Sequence, residues 1–371
     1  MTRRSIRGAM AGAVLALAQF NPAAADETVS AAARQMIEDR LETIRAEEGV
    51  TAVIVGLVEG DGEPTIAAVG TSMTNVLAQP SMHFRTGAVA IGAQTTILLQ
   101  LVDEGIVALD DTIDTWLPDY PEADKVTLRM LADCTSGYAD YVTDPGFVAA
   151  FEADVFRDWT TEELLDVAFA RGMVFEPGTG FQYAHTNYLV LGEALAKATD
   201  TTYRSLLQKR IIEPLNLGQT EIWDSPSILE PALHAYTTER GVFEDSTFWN
   251  PSWTADTGPM NADMADTMTL IRALAAGETI SPESLETMRA AKTLGLGGNA
   301  PDRHFSLGME FVGPWIQKTF SFGGYGGLAA YRPDMDVTLV VVATLGPASD
   351  PDINPAAAIF GAIAQTLAPK E

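Results

Sequence analysis

The 371-residue sequence has a single cysteine, Cys134, so no disulfide can form within the chain and a stapled small-domain fold is excluded. Histidine is almost as scarce. His83, His185, His234 and His304 are far apart, and none falls in an H-E-x-x-H pattern. Neither a metal centre nor any cofactor is therefore expected. Positive charge is also short, with 23 lysines and arginines against 50 acidic residues and a formal net charge of −27. A surface of that sign repels nucleic acid and anionic lipid, so neither is expected as a partner. Past residue 25 no apolar run is long enough to cross a bilayer, and no transmembrane segment is expected. There is no G-x-x-x-x-G-K-[ST] phosphate loop and no G-x-S-x-G elbow. The run Gly323-Gly324-Tyr325-Gly326-Gly327 lacks the spacing of a dinucleotide fingerprint.

What is present begins with the features of a secretory signal over residues 1–25. Arg3, Arg4 and Arg7 supply positive charge, residues 8–20 are mostly apolar, and Ala23-Ala24-Ala25 offers a small-residue cleavage site before Asp26. This predicts a periplasmic or secreted protein. The remaining chain, 26–371, exceeds the ~250–300 residues of a typical single core, so two lobes are expected.

The periodicity gives their order. Residues 29–47 carry Met36, Ile37, Leu41 and Ile44 on one side of a helix, and 51–59 and 65–70 read as strands around the Gly60-Asp61-Gly62 turn. Helical patterns then run over 88–104, 127–133, 146–154, 160–170, 186–199, 202–213, 263–275 and 282–290. Strands return at 306–312, 316–322, 327–333 and 336–345, before a closing alanine-rich helix over 355–367. The fold class is α+β, an antiparallel sheet flanked by helices plus a mostly helical lobe. Residues 26–80 and 300–371 would form the sheet lobe and 81–299 the helical one, with a cleft between them. Trp249 and Trp253, with Phe243 and Phe248 nearby, read first as core packing, with a place on the cleft lining as the alternative. Asp110-Asp111 and Glu162-Glu163 read as solvated helix caps and not as paired catalytic carboxylates.

Several segments carry a more specific signal together. Phe84-Arg85-Thr86-Gly87-Ala88-Val89-Ala90-Ile91 opens an apolar helix. Val126-Thr127-Leu128-Arg129-Met130-Leu131 leads to Cys134-Thr135-Ser136-Gly137. Phe175-Glu176-Pro177-Gly178 leads through Tyr183 and His185 to Asn187-Tyr188-Leu189, and Ser321-Phe322-Gly323-Gly324 follows late in the chain. In this order and at these separations the chain resembles the serine hydrolases related to class C β-lactamases and penicillin-binding proteins, a family that includes D-alanyl-D-alanine carboxypeptidases and esterases. The resemblance implies a β-lactamase/transpeptidase-like fold. It also implies where an acyl-transfer site would stand: an S-x-x-K serine and lysine at Ala88 and Ile91, a proton-shuttling tyrosine at Tyr183, an asparagine at His185, a histidine at Cys134 and a histidine or lysine at Phe322.

Against that pattern the chain departs where the chemistry is done. Ala88 has no lone pair with which to attack a carbonyl, and Ile91 can neither accept a proton nor stabilise an anion. Nucleophile and base act as a unit, so ordinary serine acylation is expected to be absent. Phe322 would remove a second cation and turn a polar chamber into one with an apolar floor. Three readings remain open. The protein is noncatalytic and binds a small-molecule or peptide ligand in the inter-lobe cleft. Or it hydrolyses an ester or amide through another constellation, such as Cys134/His185 or Tyr183/His185. Or its cleft has closed and the fold serves a structural role.

Overall fold

The computed structural model describes residues 30–367, so the signal segment 1–25 lies outside the described residues. Helix α1 (Ala31–Glu47) forms because Ala33, Ile37, Leu41 and Ile44 recur three or four residues apart and are all buried on one face. Strands β1 (Ala52–Glu59) and β2 (Thr65–Met73) follow as a hairpin, and a two-residue β3 (Val76–Leu77) folds back on β2. Short β4 (Phe84–Arg85) then feeds α2 (Val89–Asp103).

The middle of the chain is helical, with α3 (Leu128–Ala132), α4 (Pro145–Ala153), α5 (Thr161–Ala170), α6 (His185–Thr199) and α7 (Tyr203–Leu207). Glu163 closes a capping box with Thr160 at the start of α5, the solvated role expected of that acidic pair. Four short strands come next: β5 (Glu221–Ile222), β6 (Tyr236–Thr237), β7 (Glu244–Asp245) and β8 (Met260–Ala262). Helices α8 (Met264–Ala276) and α9 (Pro282–Arg289) complete the block. The chain ends in β9 (Arg303–Ser306), β10 (Met309–Val312), β11 (Trp315–Phe322), β12 (Tyr325–Arg332), β13 (Val337–Thr344) and α10 (Ala356–Ala364).

Both ends of the sequence build one eight-stranded sheet in the order β3-β2-β1-β13-β12-β11-β10-β9, antiparallel throughout. β13 lies at its centre, paired with β1 from Ala52↔Thr344 to Glu59↔Val337. Its eight residues are all buried because both faces are covered, which explains an unbroken apolar run where a half-exposed strand would alternate. Leu339 and Val341 face α1 and α10, whereas Val340 and Val342 face the larger core that includes α2 and α8. The fold is the expected α+β arrangement.

One expected strand is two. Residues 306–312 read as continuous, but Leu307 (φ 39°) and Gly308 (φ 78°) turn the chain between β9 and β10. A Cβ on Gly308 would stand 2.6 Å from Thr95 Oγ1, so the turn sits directly on α2. That turn lowers the β9–β10 hairpin onto the rim of the cleft described next.

Candidate functional site

A cavity of about 650 Å³ opens where the N-terminal end of α2 meets β11, the 181–185 segment and the loop before β8. Ala88 is the residue before α2 and lines this cavity; it caps nothing with its side chain. Ile91, one turn on, is fully buried in the hydrocarbon core and is not part of the lining. The hydroxyl of buried Thr86, two residues before Ala88, donates to Met260 O at 3.0 Å. The α2 end of the cleft thus presents a methyl group where a serine would attack.

Tyr183 and His185 stand opposite, both on the lining. Their rings meet edge to face at 5.2 Å between centroids. Burial is the first cause that pushes the Tyr183 phenol well above its ordinary value, with nearby carboxylates acting in the same sense. A phenolate nucleophile at Tyr183 is disfavoured on that ground. His185 begins α6, and its Nδ1 lies 3.0 Å from Oδ2 of Asp140. The buried Asp140 carboxylate also accepts from the His185 and Val142 backbone N–H groups at 3.2 and 3.3 Å. Asp140 was not signalled by the sequence; it lies 45 residues from His185, in no recognisable motif.

The structure does not pair Cys134 with His185. Cys134 is fully buried, its Sγ lies 3.2 Å from Tyr188 Oη, and it does not line the cavity. Burial pushes its thiol up to about 11, so the thiolate needed for attack is disfavoured. The expected Cys134/His185 constellation is corrected accordingly: the thiol is a packing group.

Phe322, at the end of β11, lines the cleft and stacks on Trp253 with ring centroids 5.5 Å apart and planes within 8°. Of the two tryptophans, Trp253 takes the cleft-lining alternative, whereas Trp249 is buried and off the lining. Phe322 does not bring a wholly apolar floor with it. The Arg85 guanidinium carbon lies 4.9 Å from the Phe322 ring centroid. Arg85 is buried and bonds to Asn261 Oδ1 and to the carbonyls of Pro226, Thr247 and Trp249. Burial lowers it to about 10.

A second buried cation, Lys318, lies on β11, the strand that carries Phe322. Lys318 is fully buried, and its Nζ makes no hydrogen bond among the described residues. The nearest carboxylate oxygen is Glu310 Oε1 at 3.9 Å, with the Phe305 and Tyr183 ring centroids at 5.1 and 5.7 Å. Glu310, Phe305 and Tyr183 all line the cleft, so Lys318 lies just behind its wall. Burial lowers its pKa, opposed by Glu310. Period-two alternation from Phe322 would have put 318 on the same strand face, a signal the motif-based reading passed over.

The cavity is open, which removes the reading of a closed cleft. Six aromatic residues, Phe181, Tyr183, Trp253, Phe305, Phe320 and Phe322, contribute to its lining, and no His, Cys, Asp and Glu grouping among the described residues could hold a metal ion. No helix among the described residues is long and apolar enough to cross a membrane.

Comparison with known proteins agrees with this geometry. Residues 34–362 match the family described as Beta-lactamase. The chain is 28% identical over 144 residues to penicillin-binding protein 4* of Bacillus subtilis, covering 38% of this chain and 31% of that one. It is likewise 28% identical over 190 residues to penicillin-binding protein 4 of Amycolatopsis lactamdurans, covering 49% and 48%. The matched region thus spans a third to a half of those relatives' length. Among solved structures, a D-stereospecific amidohydrolase from Streptomyces sp. superposes with a TM-score of 0.77 at 26% identity, covering 91% of this chain and 96% of that one.

Proposed function

This chain belongs to the β-lactamase family, and we propose that within it the protein is an exported, cleft-binding member that forms no acyl-enzyme. The observation that carries this reading is Ala88, a methyl group lining the cleft at the head of α2, with buried Ile91 one turn behind it. Acyl transfer by the family's route needs a hydroxyl and a base at those two places. Thr86, Thr254, Thr257 and Ser321 donate their hydroxyls to backbone carbonyls, Cys134 is buried against Tyr188, and the Tyr183 phenol is held well above its ordinary value.

The cleft itself has stayed open and aromatic. Phe181, Tyr183, Trp253, Phe305 and Phe322 supply flat apolar surface, and Asn299, Asn354 and Thr319 supply polar contacts around it. That combination suits a small molecule or short peptide with an aromatic or bulky apolar group. The amidohydrolase and penicillin-binding relatives act on or bind small amide-containing molecules by their names, and the proposed ligand is of that size class.

Intact-mass measurement after incubation with a fluorescent penicillin and with a fluorophosphonate tests the proposal. No mass increase is expected from either probe, and a stable adduct at any residue overturns it. Quenching of tryptophan fluorescence by D-phenylalanine amide, weakened by Trp253→Ala, is the expected sign of an open binding cleft. For export, N-terminal sequencing of the native protein should begin at Asp26. A cytosolic protein that retains Arg3 and Arg4 would remove that part.

A further inference from the structure

Binding alone leaves one built feature of the cleft without a use. The Asp140 carboxylate is held by two backbone N–H groups and faces His185 Nδ1 at 3.0 Å. With a carboxylate as acceptor, the neutral ring carries its proton on Nδ1 and keeps a lone pair on Nε2, at the ring edge away from Asp140. The ring is further fixed by Tyr183 and Tyr141, edge on at 5.2 and 6.1 Å. His185 lines the same cleft as Ala88. Ala88 N–H, at the head of α2, makes no hydrogen bond among the described residues. The cleft thus combines an imidazole oriented by a buried acid with a free backbone donor.

We propose that His185, oriented by Asp140, is a general base that drives water onto carboxylic esters bound in the cleft, cleaving them in one displacement. The inference rests on the reading that no acyl-enzyme forms, because Ala88 offers no nucleophile to compete with water. Nε2 takes a proton from a water molecule as its oxygen bonds to the ester carbonyl carbon. The carbonyl electron pair moves onto oxygen, which the Ala88 N–H stabilises. As the tetrahedral intermediate collapses, the carbon–alkoxy bond breaks and the leaving oxygen receives the proton from Nε2. One ester and one water give one acid and one alcohol, and His185 returns to its starting form.

The lining sets the substrate class. Phe181, Trp253 and Phe305 favour an aromatic acyl group. Glu310 and Asp352 line the cleft, while its one lysine or arginine among the described residues is Arg303, which is exposed. With buried Arg85 and Lys318 behind the wall offsetting these carboxylates, neutral esters fit this balance.

The test uses the whole protein and p-nitrophenyl phenylacetate. Expected is steady release of nitrophenolate from the first turnover, without a burst and with an unchanged protein mass. His185→Asn and Asp140→Asn should each lower kcat/KM by about 100-fold or more, the size of a general-base contribution. His234→Asn serves as control, since His234 pairs with Asp245 at 2.7 Å outside the cleft and its loss should leave the rate unchanged. Imidazole added to His185→Gly should restore part of the rate, which a merely structural role for His185 would not allow. The inference is overturned if wild-type protein does not exceed buffer, if His185→Asn matches His234→Asn, or if imidazole has no effect on folded His185→Gly. A burst with a mass gain equal to the acyl group would instead overturn the underlying reading.

Discussion

Replacing Lys318 by methionine should make the protein more stable. Lys318 is completely buried and unbonded, with its nearest carboxylate oxygen, on Glu310, at 3.9 Å. At that separation the attraction is about 4 kcal/mol for an effective dielectric of 20. Removing the ammonium from water costs several kcal/mol and its orphaned donor adds about 1–3 kcal/mol, while Glu310 stays half-buried in both proteins. Lys318 is thus unfavourable by roughly 1–3 kcal/mol, and the variant gains this because Glu310 is partly exposed and keeps a hydrogen-bond donor after the amine is gone. Methionine keeps the length of the lysine stem, and its sulfur suits the Phe305 and Tyr183 rings beside it. Glu310 keeps Thr319 Oγ1 at 3.1 Å. At about 2 °C per kcal/mol for a chain of this size, Tm should rise by roughly 2–6 °C.

The pH dependence makes this prediction sharper. Burial lowers the Lys318 pKa in the folded chain, so below it the folded state carries an unwelcome proton. Between the lowered value and the ordinary lysine value of about 10.4, the unfolded chain binds a proton that the folded chain does not. Wild-type stability gains with rising pH through that window, and Lys318→Met lacks this gain. The advantage of methionine should therefore be largest near neutral pH and shrink toward pH ~10. Urea unfolding of both proteins at a series of pH values measures it. A Lys318→Met protein less stable than wild type at neutral pH, by a margin constant across the series, would refute the reasoning.

Three further outcomes follow from the same geometry. Native protein should not react with Ellman's reagent, because Cys134 is fully buried and its thiol is pushed up to about 11; in denaturant one thiol per chain should appear. Ala88→Ser with Ile91→Lys should not restore labelling by a fluorescent penicillin, and Ile91→Lys alone should lower stability by on the order of 3 kcal/mol by placing an amine in hydrocarbon; strong labelling of the double variant would show that the neighbouring groups still suit acyl transfer. Burial raises the Asp133 carboxyl to about 6 in the folded chain, so wild-type stability should fall as pH rises from about 4 to 6, where only the unfolded chain has released the proton. Asp133→Asn should flatten that fall in urea titrations, keeping an acceptor for Leu307 N–H, and an unchanged slope would count against the assignment.

The fold was readable in the sequence because its elements are locally consistent. The α1 stripe, the β1–β2 turn and the apolar run of β13 each specify one structure whatever their neighbours do. The one misread strand failed because Gly308 looks like a strand glycine until α2 is packed beneath it. The site divides differently. Ala88, Tyr183, His185 and Phe322 were found by motif position, and the structure gathers them around one cavity. Cys134 was found the same way but faces Tyr188, since motif position fixes the backbone and not what a replaced side chain bonds to. Asp140 and Lys318 carry no motif at all, and their importance comes from one distance to His185 and from the lack of any partner.

Those two residues change what the substitutions at 88, 91 and 322 mean. Taken alone, Ala88, Ile91 and Phe322 describe a cleft stripped of polar groups. Around them the chain still holds a buried guanidinium against Phe322, a buried amine behind Glu310 and an acid-oriented imidazole at the opposite wall. Simple decay would be expected to shed such groups, because each buried charge costs stability unless something uses it. Their presence fits the proposal of a cleft whose polar centre lies at the Asp140–His185 wall and not at the head of α2. Lys318→Met separates these alternatives: a stabilised variant that also binds aromatic amides as wild type does would make the amine a relic, whereas a stabilised variant with weakened binding would make it part of that site.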